Sequence, residues 1–239
     1  MKPHNRIILA LDVADFDNAL NIVKRFKDHI DIFKVGSELF TAVGPRIIEE
    51  INSMGKKVFL DLKYHDIPNT VSKTASVVSR LGVFMFNIHA LGGLEMMKQA
   101  AQTIVNVSLK ENTQRPLLLC VTILTSIDQS TMTAELGIGQ NMKTQVKHLA
   151  GLALKAGLDG VVASPEDTEM LRYHYGKDFL IVTPGIRPSW TPVDDQKRTM
   201  TPKEALRHGA DYLVIGRAVL SQPDPVEALE RIEEEIANV

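Results

Sequence analysis

Asp61, Lys63 and Asp66 lie within six positions in the stretch DLKYHDIPNT, which continues the apolar run KVFL. Ionisable groups beside a core contribute little to folding, because removing each from water is costly unless it is well paired. Chemistry offers a better reason for their placement. An amine kept charged by flanking carboxylates can stabilise negative charge developing on a substrate and then deliver its proton. In extended backbone, residues two apart face the same side, which predicts that Asp61 and Lys63 point together. Asp12 closes the run IILAL and Lys34 lies late in DIFKVG, so the ends of three successive runs would form an alternating array of acids and bases. A structural ion pair is the competing reading, but it needs only two of these groups. Other apolar runs also end in polar residues: His89 after VFMFNI, Thr125 and Ser126 after VTIL, Arg187 in TPGIR, and Gly216 with Arg217 after YLVI. His89 reads equally as a catalytic group and as a strand-end residue bonded to a neighbouring loop.

The elements that position these residues can be read from the same runs. RIILAL, DIFKVG, KVFLDL, VFMFNIHA, PLLLCVTIL, GVVAS, FLIVTPG and YLVIG give eight candidate strands, each bounded by Gly, Pro or charged residues. Segments with helical spacing lie between them, including FDNALNIVKRFKDHI, GLEMMKQAAQTIVNVSLK and VKHLAGLALKAG, and several end in a Gly suited to a helix C-cap. Strands that are apolar without alternation are covered on both faces, as in parallel sheets flanked by helices. Eight strand–helix units of roughly 30 residues predict a single-domain (β/α)8 barrel over residues 1–239. An open doubly wound sheet, the alternative, usually has fewer strands. No Pro/Ser/Gly-rich linker divides the chain.

A barrel's chemistry sits at the C-terminal ends of its strands, where the polar residues above fall, and its last two βα loops commonly bind phosphate. Gly216 lets backbone come close to an anion there, and Arg187 and Arg217 can grip its oxygens. Two connections are long: TSIDQSTMTAELGIGQN and GIRPSWTPVDDQKRTMTP. Long loops in compact folds are often lids or binding loops. The second, with Trp190, Arg187, Lys197 and Arg198, reads alternatively as an exposed, variable surface loop.

Composition excludes other classes. The 239 residues are 44% hydrophobic and 23% charged with a net charge of -2, as in ordinary globular proteins. No basic stripe is present to track a nucleic acid. No apolar segment is long enough to span a bilayer, and IILAL, followed by Asp12, Asp15 and Asp17, is too short for an export signal. The single cysteine, Cys120 in LLLCVTIL, reads as a small core residue, in keeping with a reducing cytoplasm.

Taken together, these motifs resemble the orotidine 5'-phosphate decarboxylase family. DLKYHDIPNTV is similar to its D-x-K-x-x-D-I-P-x-T signature, and the likeness continues through LALDV, FKVGSELF, NIHALGG, VTILTS, TPGIRP with DDQKR and MTP, and VIGRAV. The resemblance implies a cofactor-free and metal-free decarboxylation of orotidine 5'-monophosphate (OMP) to UMP. It makes Lys63 the proton donor, in a charge network with Asp61, Lys34 and Asp66. Asp12 and Lys34 would hold the ribose hydroxyls, and Thr125, with Ser126, the pyrimidine. Arg187, Gln196, Gly216 and Arg217 would bind the phosphate, Gln196 from a loop that closes over it. Asp66, Ile67 and Thr70 would enter the neighbouring subunit's site, making the enzyme a homodimer. SWTPV, at 189–193, is bulkier than the small-residue loop of the family, and Ala218 and Val219 replace an expected Pro-hydrophobic pair.

Three other functions fit part of the pattern. A D-x-K-x-x-D cluster also helps to bind Mg²⁺ in metal-dependent sugar-phosphate lyases and decarboxylases on related barrels. A Schiff-base aldolase would use Lys63 as nucleophile, although that role needs a depressed amine pKa and flanking acids oppose it. A catalytically silent nucleotide-phosphate binder would keep the barrel and the phosphate grip. The I-P-N-T continuation and DDQKR favour the decarboxylase.

Overall fold

A computed structural model describes residues 6–191 and 198–239. In chain order the elements are β1 (Ile7–Ala10), α1 (Phe16–Phe26), β2 (Ile32–Gly36), α2 (Ser37–Val43), α3 (Arg46–Ser53), β3 (Lys57–Tyr64), α4 (Pro68–Arg80), β4 (Met85–His89), α5 (Gly93–Glu111), β5 (Leu117–Val121), α6 (Gln129–Ala134), α7 (Met142–Lys155), β6 (Gly160–Val162), α8 (Pro165–Tyr175), β7 (Leu180–Thr183), α9 (Pro202–Arg207), β8 (Tyr212–Ile215), α10 (Arg217–Leu220) and α11 (Pro225–Ile236). The strands pair in parallel from β1 to β8, and β8 closes on β1. This is the (β/α)8 barrel that the apolar runs predict.

Two apolar layers explain why the strands carry no alternation. Ile8, Ile32, Phe59, Met85, Leu119 and Val182 fill the barrel interior. Leu9, Phe33, Val35, Leu60, Phe86 and Leu118 point outward into a second core beneath the helices. Both strand faces are thus removed from water, and the interior is packed rather than open. Cys120 lies in the outer core, where burial pushes its thiol far above the ordinary range, in keeping with a packing role.

Local chemistry sets where the helices begin. Asp15, Asp128 and Asn141 accept hydrogen bonds from the backbone N–H groups of Asn18, Thr131 and Thr144. Thr201 and Glu204 form a reciprocal capping box, with Pro202 at the first helical position. The Asp128 cap nucleates α6 inside a connection that the sequence presents as a long loop. Six residues are too few to show helical periodicity. The short α2 and α10 escape notice for the same reason.

The second long connection is not simply an exposed surface loop. Ile186 and Met200 pair in a parallel bridge, with Arg187 N donating to Met200 O at 2.9 Å. Arg198 is buried and donates to the buried Asp167 at 2.7 Å and to the Ile123 carbonyl at 3.4 Å. The Arg231 guanidinium lies 4.3 Å from the Trp190 ring centroid. Among the described residues no helix is long and apolar enough to cross a membrane.

Candidate active site

The barrel register brings the first three strand ends together. Ala10 pairs with Lys34, Lys34 with Phe59, and Gly36 with Asp61. Four side chains then form one line of alternating charge. Asp12 Oδ1 accepts from Lys34 Nζ at 2.9 Å, Lys34 Nζ lies 3.7 Å from Asp61 Oδ2, and Lys63 Nζ lies 2.8 Å from Asp61 Oδ1. Asp61 and Lys34 are buried. Burial pushes the Asp61 carboxyl up, but the ammoniums of Lys34 and Lys63, with hydrogen bonds from Lys63 and Asn87, outweigh it and hold the carboxyl below the ordinary range.

Asp61 and Lys63 do meet, though not through strand alternation. Between β3 and β4 the register shifts: β3 advances from Leu60 to Tyr64 while β4 advances only from Phe86 to Ile88. Within that bulge Lys63 takes φ of +50°, in the left-handed region that non-glycine residues seldom occupy. Its N–H is satisfied by Asn87 Oδ1 at 2.8 Å, and Asn87 Nδ2 donates to Asp61 Oδ1 at 2.6 Å. Asn87 is fully buried, and nothing in NIHALGG marks it apart from its polarity inside an apolar strand.

These groups open onto a cavity of about 330 Å³ at the C-terminal ends of the strands. Asp12, Lys34, Asp61 and Lys63 line it together with Thr125, Ser126, Arg187, Gly216 and Arg217. A line of alternating acids and bases and a pair of arginines therefore border a single space. Gly216 is close to β1: a Cβ there would come within 3.0 Å of Asp12 Oδ2. Of the expected site residues, Gln196 lies outside the described residues. Asp66, Ile67 and Thr70 stand away from this cavity, exposed at the start of α4, with Ile67 66% accessible. His89 takes the structural alternative. Its Nδ1 accepts from Leu91 N at 3.3 Å and its ring stacks on His65, while burial, His65 and Lys63 together lower its pKa to about 4.

A family model described as "Orotidine 5'-phosphate decarboxylase / HUMPS family" matches residues 5–232. The chain belongs to this family. A protein of Syntrophomonas wolfei subsp. wolfei named orotidine 5'-phosphate decarboxylase is 49% identical over 233 residues, covering 97% of this chain and 98% of its own length. One of the same name from Trichlorobacter lovleyi is 51% identical over 232 residues, covering 97% and 95%. Among solved structures, an orotidine 5'-phosphate decarboxylase from Lactobacillus acidophilus superposes with a TM-score of 0.85 at 37% identity, covering 98% of this chain and 100% of that one. An uncharacterised conserved protein from Geobacillus kaustophilus superposes at 0.84 with 34% identity, covering 96% and 99%. Family membership gives the charged line and the arginine pair a common substrate class to be tested against.

Proposed function

We propose that this chain decarboxylates OMP to UMP and CO₂ without a cofactor, with Lys63 as the proton donor. The observation that carries the proposal is the Asp12–Lys34–Asp61–Lys63 line bordering the same cavity as Arg187 and Arg217. Loss of CO₂ breaks the bond between the pyrimidine ring and the carboxyl group and leaves the electron pair in the ring plane, where the π system cannot delocalise it. An adjacent ammonium stabilises that pair and then transfers a proton to the same carbon. Lysine afterwards recovers a proton from solvent. Two unit charges about 4 Å apart interact by about 4 kcal/mol at an effective dielectric near 20, worth roughly three powers of ten in rate. Lys63 alone therefore supplies only part of a large acceleration.

Asp61 serves this step by aiming Lys63, since its Oδ1 lies 2.8 Å from the amine. Asp12 and Lys34 bind the ribose hydroxyls, Thr125 and Ser126 the pyrimidine, and Arg187, Gly216 and Arg217 the phosphate, joined by Gln196. Phosphate binding remote from the reacting carbon supplies energy that positions the ring. Asp66, Ile67 and Thr70 belong to the neighbouring subunit's site in a homodimer. Their exposure in the single chain, and that of the apolar Ile67 above all, supports this assignment.

A spectrophotometric assay following loss of OMP absorbance tests the reading. The wild type turns OMP over, Lys63→Ala lowers kcat by at least about 10³-fold, and activity survives exhaustive EDTA treatment. UMP binding without turnover by the wild type would leave a silent binder, and loss of activity with EDTA would favour the metal-dependent lyase.

A further inference from the structure

We propose that Asn87 is a positioning residue for the decarboxylation: its amide locks the β3 bulge that aims Lys63 and fixes the orientation of Asp61. Three observations on different parts of the chain converge on it. The β3–β4 register shift removes the Lys63 N–H from the sheet ladder, so that donor needs another partner. Lys63 sits at φ +50°, a conformation that is costly for a residue with a side chain and persists only where its surroundings enforce it. Asn87, fully buried on the neighbouring strand, meets both needs with one rigid group, accepting from Lys63 N at 2.8 Å and donating to Asp61 Oδ1 at 2.6 Å.

The chemistry of the amide is specific. It offers an acceptor and a donor on one planar, uncharged head at the end of a short side chain. An aspartate at this position would accept from Lys63 N–H but repel Asp61. A leucine of similar shape would do neither, leaving a buried N–H without its partner. With the donor to Asp61 gone, the carboxyl also loses one of the bonds holding it ionised. Asn87 does not itself line the cavity but bonds to Lys63 and Asp61, which do, so it acts through them.

This role presupposes the decarboxylation proposed above, and the test separates the two. Asn87→Leu should lower kcat by about 10²-fold, the loss expected of a misplacement near 1 Å, with the affinity for UMP little changed. The acid limb of its kcat profile should move to higher pH, because Asp61 then takes up its proton sooner. Asn87→Asp, which conserves shape if the leucine variant folds poorly, should instead gain activity as pH falls, because the protonated new carboxyl can again donate to Asp61. ¹³C NMR titration of the Asp61 carboxyl reads the upward shift in Asn87→Leu without any turnover. A purely structural role predicts a lower melting temperature with kcat per folded molecule, the acid limb and the Asp61 titration all as in wild type, and that result overturns the proposal. Failure of the wild type to turn over OMP would instead overturn the decarboxylase reading, leaving the carboxyl titration to decide the role of Asn87.

Discussion

Asp61 is where the burial of charge is resolved, with Lys63 and Asn87 on one oxygen and Lys34 near the other. Because its folded pKa lies below the unfolded value, the stability it contributes is fully present above the ordinary carboxylate range and is lost as pH falls through the folded pKa. The same crowding gives a glycine an unexpected role. A Cβ on Gly36 would lie 2.9 Å from Lys34 Nζ, and the next nearest atom, Asp12 Oδ1, is 3.9 Å away. Gly36 has an extended, unstrained backbone with φ of -91°, so alanine is conformationally acceptable there. What must move is the far end of a lysine side chain, which is cheap for the fold but displaces a charge in the site. Gly36→Ala is therefore expected to unfold at the wild-type denaturant midpoint while losing at least about 10-fold in kcat/KM for OMP, since small misplacements of positioned groups have large kinetic effects. Residue types and spacing made Asp12, Lys34, Asp61 and Lys63 legible in the sequence. They did not reveal that Lys63 reaches Asp61 through a left-handed bulge, because alternation is a property of regular strands and a bulge interrupts it. Gly36 and Asn87 were invisible for a related reason: each acts through a close approach that only the folded side chains set, Gly36 to Lys34 on its own strand and Asn87 to Asp61 and Lys63 on the adjacent one.

At the scale of elements, the strands were the most legible part, since helices on the outside and a packed interior make each run apolar throughout. The connection between β7 and α9 was the least legible. Arg198 reads from its charged neighbours as a surface residue, yet it is buried against Asp167 on α8 and reaches the carbonyl of Ile123 beyond β5. One guanidinium thereby ties the β7–α9 connection to α8 and to the segment that follows β5. Burial raises the Asp167 carboxyl above its ordinary range even with the guanidinium 2.7 Å away, so desolvation outweighs attraction and the pair is a poor source of stability. Removing one partner is a different matter, because it strands the other charge in the core. Arg198→Met should lower the unfolding free energy by about 3–5 kcal/mol, whereas Asp167→Leu combined with Arg198→Met should restore it to the wild-type value or above. Denaturant unfolding of the two single variants and the double variant measures the coupling, and additive single losses would show that the two residues do not act as a pair.

At the scale of the whole molecule, the proposed homodimer would use Asp66, Ile67 and Thr70 to divide the site between two chains. The DLKYHDIPNT stretch is continuous in sequence, but the barrel splits it: Asp61 and Lys63 enter this chain's cavity, while Asp66 and its followers turn away onto the start of α4. Asp66 Oδ1 there accepts only from the adjacent Ile67 N at 2.6 Å among the hydrogen bonds of the described residues. A two-fold dimer is the simplest assembly in which the same surface completes both sites, because each subunit gives what it receives. Sharing of this kind has a kinetic signature that a self-contained site lacks. Lys63→Ala and Asp66→Ala dimers should each be nearly inactive. When they are mixed and allowed to exchange subunits, a mixed dimer carries both substitutions in one site and neither in the other. With random exchange at equal concentrations, half of the dimers are mixed, and activity should rise to roughly a quarter of the wild-type value. If Asp66 served its own chain's site, every site in the mixture would carry one substitution, and no activity would return at any ratio.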